Sequence, residues 1–225
     1  MPFETLRQLE ALIGRRIGGG WGMTETCPAG TAIPPDAPHR AGLIGLPLPR
    51  IEMRIVDPDN PTVPRATGEV GEIAIRGPNV FSGYWNREAE NAVAFADGWF
   101  LTGDMGWMDA GGFFTLVDRR KNMILSGGFN VYPAQIEQAI YEHPDVAECI
   151  VIGIPDDYRG QAAKAYIALK PGARGFTLDE LRAFLAERLG KHELPAALEI
   201  RDSLPRSAAG KLLASALRAE MEGTA

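Results

Sequence analysis

The sequence predicts an α/β layer at its start, a β-rich stretch after it and a small α+β domain at its end. Three observations support this fold class. Apolar residues recur at helical spacing over Pro2–Ile13. Over residues 42–118 they alternate with polar residues in short runs. Over residues 122–225, helical and strand-like segments follow one another for about a hundred residues, which is a common domain size.

The first forty residues resemble part of a larger layered domain. The helix predicted at Pro2–Ile13 ends at Gly14 and is followed by a glycine-rich turn at 18–20. One helix and one strand cannot cover both faces of a parallel sheet. We therefore expect the neighbouring elements to be missing. We also expect the apolar surface left exposed to be covered by a missing N-terminal segment or by a second copy in a homodimer.

The stretch over residues 42–118 is predicted to be a β-rich subdomain. Ile51, Met53 and Ile55 recur at every second position, and so do Ile73 and Ile75. The turn sequence at 109–112 precedes another strand at 113–117, which is a hairpin signal. This first domain is predicted to span residues 1–118.

The last hundred residues carry helix start signals. Pro133 occupies the first position of a predicted helix, and Thr177 with Glu180 forms a capping-box pattern before a helix closed by Gly190. Strands are predicted at 146–154, 163–169 and 198–201, and a last helix at 212–221. The predicted small domain spans residues 122–225, with residues 119–121 as the connection.

Composition excludes several classes of function. The net charge of −6 does not favour nucleic-acid binding, which needs a basic face. Cys27 and Cys149 lie far apart without metal-ligand spacing, which is typical of a reducing compartment. The sequence has neither a signal peptide nor an apolar run long enough to span a membrane. The predicted location is the cytoplasm.

The segment Gly20–Thr26 is the first candidate site. Gly20 and Gly22 flank Trp21, so the backbone can approach a flat ligand and the indole can stack on a purine. Thr24 offers a hydroxyl to phosphate, and Glu25 offers a carboxylate oxygen to Mg²⁺. The alternative is a tight turn with a buried tryptophan.

Two further segments carry candidate ribose ligands. Asp104 is flanked by glycines within 98–106 and can accept both hydroxyls of a ribose. The alternative is an aspartate that binds backbone N–H groups in a turn. Arg119 begins a basic cluster at 119–121 and can reach a ribose or a phosphate, although such a cluster is often a solvated turn.

The small domain contains two more candidates. Gly127 and Gly128 can line a narrow channel where the backbone approaches a ligand, or can form a plain loop before a helix. Lys211 lies on a loop beside a glycine and can pair with phosphate and carboxylate oxygens. The alternative is a surface lysine in a turn.

The order of these segments resembles the adenylate-forming superfamily over nearly the whole chain. That superfamily contains acyl-CoA synthetases, firefly-type luciferases and peptide-synthetase adenylation domains. The matching segments, in order, are 20–25, 68–77 with 83–85, 99–106, 118–133 and 205–211. The segment 129–137 is most similar to fatty-acid and aryl-acid CoA ligases. On this resemblance, residues 1–118 are the truncated end of the large adenylation domain and 122–225 the small mobile C-terminal domain.

The resemblance implies two half-reactions. A carboxylic acid and ATP form an acyl-adenylate with Mg²⁺, and the thiol of CoA then displaces AMP. Thr24 would contact phosphate, Glu25 would bind magnesium, and Lys211 would bridge the carboxylate and the α-phosphate. The implied ATP/AMP contacts are Gly20, Trp21, Gly22, Asp104 and Arg119. Lys121 would be the hinge, and Gly127 and Gly128 would line the pantetheine tunnel.

Some family features do not appear in this sequence. The phosphate-binding loop that ends in Pro-Lys-Gly should precede Met1, as should most of the acyl pocket. We therefore expect negligible ligase activity from this chain alone, and the acyl substrate is not specified. Asp118 and Asn122 replace residues that are commonly Gly and an acid. Two alternatives stay open: an adenylation domain that loads a carrier protein, and a non-catalytic module that binds nucleotide or a partner.

Overall fold

The computed structural model describes residues 3–223, which form two compact units divided between Lys121 and Asn122. The mixed α/β fold class predicted from the sequence is confirmed by this architecture. Met1 and Pro2, at the start of the first predicted helix, lie outside the described residues. Within residues 3–223, no helix is both long and apolar enough to cross a membrane.

The first unit is a curled sheet with two helices. Its elements in chain order are α1 (Phe3–Ile13), a 3₁₀ turn (Thr24–Thr26), β1 (Thr31–Ala32), β2 (Leu43–Pro47), β3 (Glu52–Val56), β4 (Gly71–Arg76), α2 (Glu88–Ala94), β5 (Phe95–Ala96), β6 (Trp99–Met108) and β7 (Phe114–Arg119). The strand order is β1-β2-β7-β6-β4-β3, β5 adds to β6, and every pair is antiparallel.

Buried side chains lie on both faces of this sheet, since Val56 and Ala74 form one cluster with Trp99 and alternate along their strands with Ile55 and Ile73 of another. Ile44, Ile55, Ile73 and Phe114 form a buried cluster, against which Trp21 packs. The strands predicted around Met53–Ile55 and Ile73–Ile75 are present as β3 and β4, although residues 71–75 of β4 are all buried. By contrast, no residue of α1 is fully buried.

The strand β6 was not predicted, and it changes the setting of Asp104. The sequence interpretation considered an aspartate in a turn between glycines. The structure instead continues a ten-residue strand through this segment, interrupted by a bulge where Thr102, Gly103 and Asp104 oppose the single residue Ile73. A bulge bends the strand and re-aims its side chains. Gly103 adopts φ +71° there and donates its N–H to Glu72.

The second unit packs helices on both faces of a five-stranded sheet. Its elements follow a 3₁₀ turn at Arg120–Asn122 and are β8 (Ile124–Ser126), β9 (Phe129–Val131), α3 (Pro133–Tyr141), β10 (Val146–Asp156), β11 (Gly160–Leu169), α4 (Leu178–Leu185), β12 (Ala197–Ile200) and α5 (Ala214–Glu222). The strand order is β10-β11-β8-β9, and β12 pairs in parallel with β11.

Two clusters make up the core of this unit. One contains Ile136 and Ile140 of α3 with Leu181 and Leu185 of α4, and the other contains Leu217 of α5. Each cluster also takes in buried side chains of β10 and β11, which supply both faces of the sheet.

The helix start signals in the second unit are confirmed, whereas one predicted end is wrong. Thr177 and Glu180 form the predicted capping box, with the Glu180 N–H donating to Thr177 Oγ1 at 3.2 Å. The helix α4 ends at Leu185 and not at Gly190. Gly190 lacks the positive φ of a helix-ending glycine and donates its N–H to Glu193.

Candidate functional site

The segment around Trp21 is held by hydrogen bonds to a neighbouring stretch of the same unit. The Trp21 N–H donates to Thr31 Oγ1 at 2.9 Å, and the Trp21 carbonyl accepts from the N–H groups of Gly30 and Thr31 at 2.9 and 3.0 Å. The two stretches therefore run side by side at backbone contact distance.

This contact explains the two glycines that flank Trp21. A Cβ atom at Gly20 would lie 2.2 Å from the carbonyl oxygen of Thr31, and one at Gly22 would lie 1.4 Å from that of Pro28. The chain itself occupies the space that a side chain would need. The glycines are accounted for by this tight turn, without the approach of a ligand.

The Trp21 side chain connects the segment to Asp104. Its ring lies over Gly30, where a Cβ atom would be 2.6 Å from the indole, and packs against the core cluster. Its Nε1–H donates to Asp104 Oδ2 at 2.8 Å. Two candidate residues that are 83 positions apart in sequence are thus in direct contact.

Asp104 also contacts Arg119, which lies opposite it in the register of β6 and β7. Arg119 Nε is 2.5 Å from Asp104 Oδ1. Asp104 is 2% exposed, whereas 47% of the Arg119 side chain is exposed. Burial raises the pKa of the Asp104 carboxyl, and the lowering effects of Arg119 and the Trp21 N–H only partly offset it.

Glu25 lies in the 3₁₀ turn and is tied to a later loop. Its carbonyl accepts from the Phe81 N–H at 2.9 Å, and its Oε1 accepts from the Tyr84 hydroxyl at 2.9 Å. Burial and the hydrogen bond to Glu25 raise the pKa of Tyr84. Thr24, in the same turn, is exposed.

A cavity of about 480 Å³ opens beside these residues, entirely within the first unit. It is lined by Met23, Glu25, Glu72, Tyr84, Val93, Ala94, Phe100, Leu101, Thr102, Gly103, Arg119, Arg120 and Lys121. Three of the predicted site residues, Glu25, Arg119 and Lys121, line it. Asp104 and Trp21 are joined to its wall through Arg119.

Glu72, Tyr84 and Arg120 also line this cavity, and no role was predicted for them from the sequence. Tyr84 holds Glu25, while Glu72 and Arg120 form an ion pair at 3.2 Å. Tyr84 could have been found from the segment Gly83-Tyr84-Trp85, which is part of the family resemblance but was assigned no function. Glu72 and Arg120 were within recognised motifs too, but their pairing joins distant segments.

The remaining predicted residues belong to the second unit. Gly127 and Gly128 form the two-residue turn between β8 and β9, with φ values of +58° and +84°. Two positive φ values are what a type I′ hairpin turn requires. Lys211 is exposed in a tight turn, where its N–H donates to Ser207 Oγ at 3.2 Å and its carbonyl accepts from the Ser207 N–H at 2.8 Å.

The donor set at the cavity is compatible with a magnesium ion that keeps phosphate and water ligands. Glu25 contributes a carboxylate at the cavity wall, and Glu72 is paired with Arg120. Among residues 3–223, no group of three or more His, Cys, Asp or Glu side chains is arranged to hold a metal ion. One or two carboxylates are the usual protein share of a magnesium site that also binds phosphates.

Comparison with known proteins places the two units in one family. A family model described as AMP-binding enzyme matches residues 1–85, and one described as AMP-binding enzyme C-terminal domain matches residues 135–211. The long-chain-fatty-acid–CoA ligase of Bacillus subtilis (strain 168) is 41% identical over 213 residues. The match covers 95% of this chain and 38% of that ligase, so the chain spans well under half of its relative's length.

Solved structures agree with this assignment. ATP-bound MatB from Rhodopseudomonas palustris matches with a TM-score of 0.90 and 33% identity, over 99% of this chain and 44% of that one. The o-succinylbenzoate coenzyme A synthetase of Bacillus subtilis, in complex with ATP and magnesium, matches with a TM-score of 0.84 and 36% identity, over 97% and 44%. With matches in both units, the chain belongs to the adenylate-forming family of AMP-binding enzymes.

Proposed function

We propose that this chain is part of an acid–thiol ligase that forms an acyl-adenylate from ATP and a carboxylic acid and then an acyl-CoA. The observation that carries the proposal is the network in which Trp21 and Arg119 both contact Asp104 beside the cavity. Support also comes from the relatives, which include a long-chain fatty-acid ligase and an o-succinylbenzoate synthetase.

The first unit supplies the nucleotide contacts in this proposal. The Asp104 carboxylate accepts the ribose hydroxyls, since each of its oxygens has lone pairs beyond those used by Trp21 and Arg119. Arg119 is half-exposed and can turn from Asp104 toward the ribose or phosphate. The half-buried Trp21 ring would stack on adenine, and the exposed Thr24 would donate to a phosphate oxygen.

Magnesium would be held by Glu25, and it would offset the charge of the triphosphate during adenylation. Tyr84 fixes the Glu25 carboxylate through its hydroxyl, which leaves the second carboxylate oxygen for the ion. The exposed position of Thr24 in the same turn would bring a hydroxyl to the phosphates that share this ion.

In this proposal the second unit contributes different residues to the site in each of the two half-reactions. The Lys211 ammonium would offset the charge that builds on the carboxylate and α-phosphate oxygens during adenylation. The Gly127-Gly128 turn would line the path of the CoA thiol. Lys121, the last residue of the first unit, would act as the hinge for this exchange.

Nucleotide binding is the step to test first, because the first unit alone carries its contacts. Calorimetric titration of the chain with AMP should give saturable binding that is weakened at least tenfold in Asp104→Asn. Asp36→Asn, an exposed aspartate of the same unit, is the matched control. Equal affinities for the two variants would overturn the assignment of Asp104.

The acceptor can be tested in the second half-reaction. A preformed fatty-acyl or aryl adenylate is offered with free CoA or with the phosphopantetheine arm of a carrier protein, and the thioester is measured by mass spectrometry. The proposal expects CoA to be used. Exclusive transfer to the carrier would favour a carrier-loading enzyme.

A further inference from the structure

The contact between Trp21 and Asp104 is made by the edge of the indole ring. Nε1–H points at Asp104 Oδ2 at 2.8 Å, while Arg119 approaches the other oxygen, Oδ1, at 2.5 Å. The carboxylate is therefore fixed by one donor on each oxygen. Arg119 can leave this position because it is half-exposed, but Trp21 is anchored.

The anchoring of Trp21 has two parts. Its backbone makes three hydrogen bonds to Gly30 and Thr31. Its ring rests on the bare Cα of Gly30, in space that any other residue at that position would fill with a Cβ atom. The position and direction of the Nε1–H bond are thus set before any ligand binds.

We propose that Trp21 is a positioning residue for Asp104, whose carboxylate it holds through the indole N–H in the orientation that receives the ribose. This inference rests on the proposed function. It assigns to Trp21 a role separate from the stacking of its ring face on adenine. Phenylalanine would keep a ring face and lose the donor.

The buried setting makes this hydrogen bond consequential. Asp104 is 2% exposed, so water cannot readily replace a lost donor. Burial already raises the pKa of Asp104, and removal of the N–H would raise it further. A protonated or rotated carboxyl group is a poorer acceptor for two ribose hydroxyls.

The first experiment compares AMP with 2′,3′-dideoxy-AMP, which lacks both ribose hydroxyls. We expect Trp21→Phe to weaken AMP binding about tenfold, the effect of losing a hydrogen bond to a charged group. Binding of the dideoxy analogue should change much less. Adding Trp21→Phe to Asp104→Asn should produce little further loss for AMP, because the two residues act through one contact. Trp107→Phe, elsewhere on β6, is the matched control.

Equal weakening of AMP and the dideoxy analogue by Trp21→Phe would overturn the inference and leave ring stacking alone. If phenylalanine disturbs the fold, 3-benzothienylalanine at position 21 keeps the bicyclic shape and replaces N–H with sulfur. The same preferential loss for AMP is expected from it.

A second measurement needs no nucleotide. The ¹³C shift of the Asp104 carboxyl group is followed against pH in the free chain, where the charged groups facing it are Arg119, Asp118 and Glu25. Trp21→Phe should move the midpoint to higher pH, and an unchanged midpoint would contradict the inference. If the wild-type chain bound no AMP, the proposed function would fail, while this titration would still decide the contact itself.

Discussion

Asp104 and Arg119 face each other across the antiparallel strands β6 and β7, with Nε and Oδ1 2.5 Å apart. One partner is buried and the other is half-exposed. The buried carboxylate is a fixed acceptor behind the cavity wall, and the half-exposed guanidinium, which lines the cavity, can change partner. This asymmetry suits a site in which a ligand takes over part of an existing ion pair.

Arg119→Lys should weaken AMP binding about tenfold while leaving the fold intact. Lysine keeps the charge but loses the planar fork of donors that can bind carboxylate and ribose or phosphate oxygens together. Calorimetric titration measures the affinity, and circular dichroism checks the fold. Arg87→Lys, at an exposed ion pair with Glu90, is the control. Wild-type affinity in Arg119→Lys would contradict a contact between Arg119 and AMP.

Asp104→Asn should gain stability relative to the wild type as the pH rises. Burial raises the folded-state pKa of Asp104 above its ordinary value of 3.8. The folded state therefore holds the proton more tightly, and the contribution of Asp104 to stability is fully present below pH 3.8. That contribution is lost as pH rises through the folded pKa.

Urea unfolding at pH 4 and pH 7 measures this effect. The difference in unfolding free energy, variant minus wild type, should be larger at pH 7. A difference that is the same at both pH values, or smaller at pH 7, would contradict the assigned pKa direction. Asp36→Asn again serves as the exposed comparison.

Gly22→Ala should destabilise the first unit by about 1–3 kcal/mol or more, the usual cost of forcing an extra group into a packed site. The new methyl group would overlap the Pro28 carbonyl oxygen. Gly18→Ala is the matched control, since a Cβ atom there meets nothing within 4 Å. Thermal unfolding followed by near-UV circular dichroism separates the two variants. Equal midpoints would mean that the 20–31 turn is not packed as described.

Tyr84→Phe should weaken the magnesium-dependent part of ATP binding about threefold to tenfold, the effect of one lost hydrogen bond. The lost bond is the one from the Tyr84 hydroxyl to Glu25 Oε1. AMP binding without magnesium should be nearly unchanged. The control is Tyr158→Phe, because Tyr158 is 95% exposed in the second unit. Equal losses of nucleotide affinity with and without magnesium would contradict the proposal that Tyr84 fixes Glu25 for the magnesium ion.

Local signals were enough to predict much of the fold. The alternation at Ile73 and Ile75 predicted β4, and Thr177 with Glu180 predicted the start of α4. Such signals depend on residues only a few positions apart. The strand β6 escaped prediction because the bulge at 102–104 interrupts its alternation with a glycine of positive φ.

Trp21, Glu25, Asp104 and Arg119 were named as site residues from the sequence, but their contacts were not. The hydrogen bond from Trp21 to Asp104 spans 83 positions, and that from Tyr84 to Glu25 spans 59. No periodicity relates such residues, since their distance depends on how the sheet folds. The reason for glycine at positions 20 and 22 was likewise not predictable, because the carbonyl groups that exclude a side chain there belong to Thr31 and Pro28.

In the proposed function, Trp21, Asp104 and Arg119 surround one adenylate. The chain has four tryptophans, so a ¹H–¹⁵N spectrum resolves one indole signal for each, assigned by substitution. Titration with AMP should shift the Trp21 indole signal together with the amide signals of Gly103 and Arg119. The Trp99 and Trp107 indole signals should stay in place. Saturable AMP binding that leaves the Trp21, Gly103 and Arg119 signals unmoved would contradict this arrangement of the site.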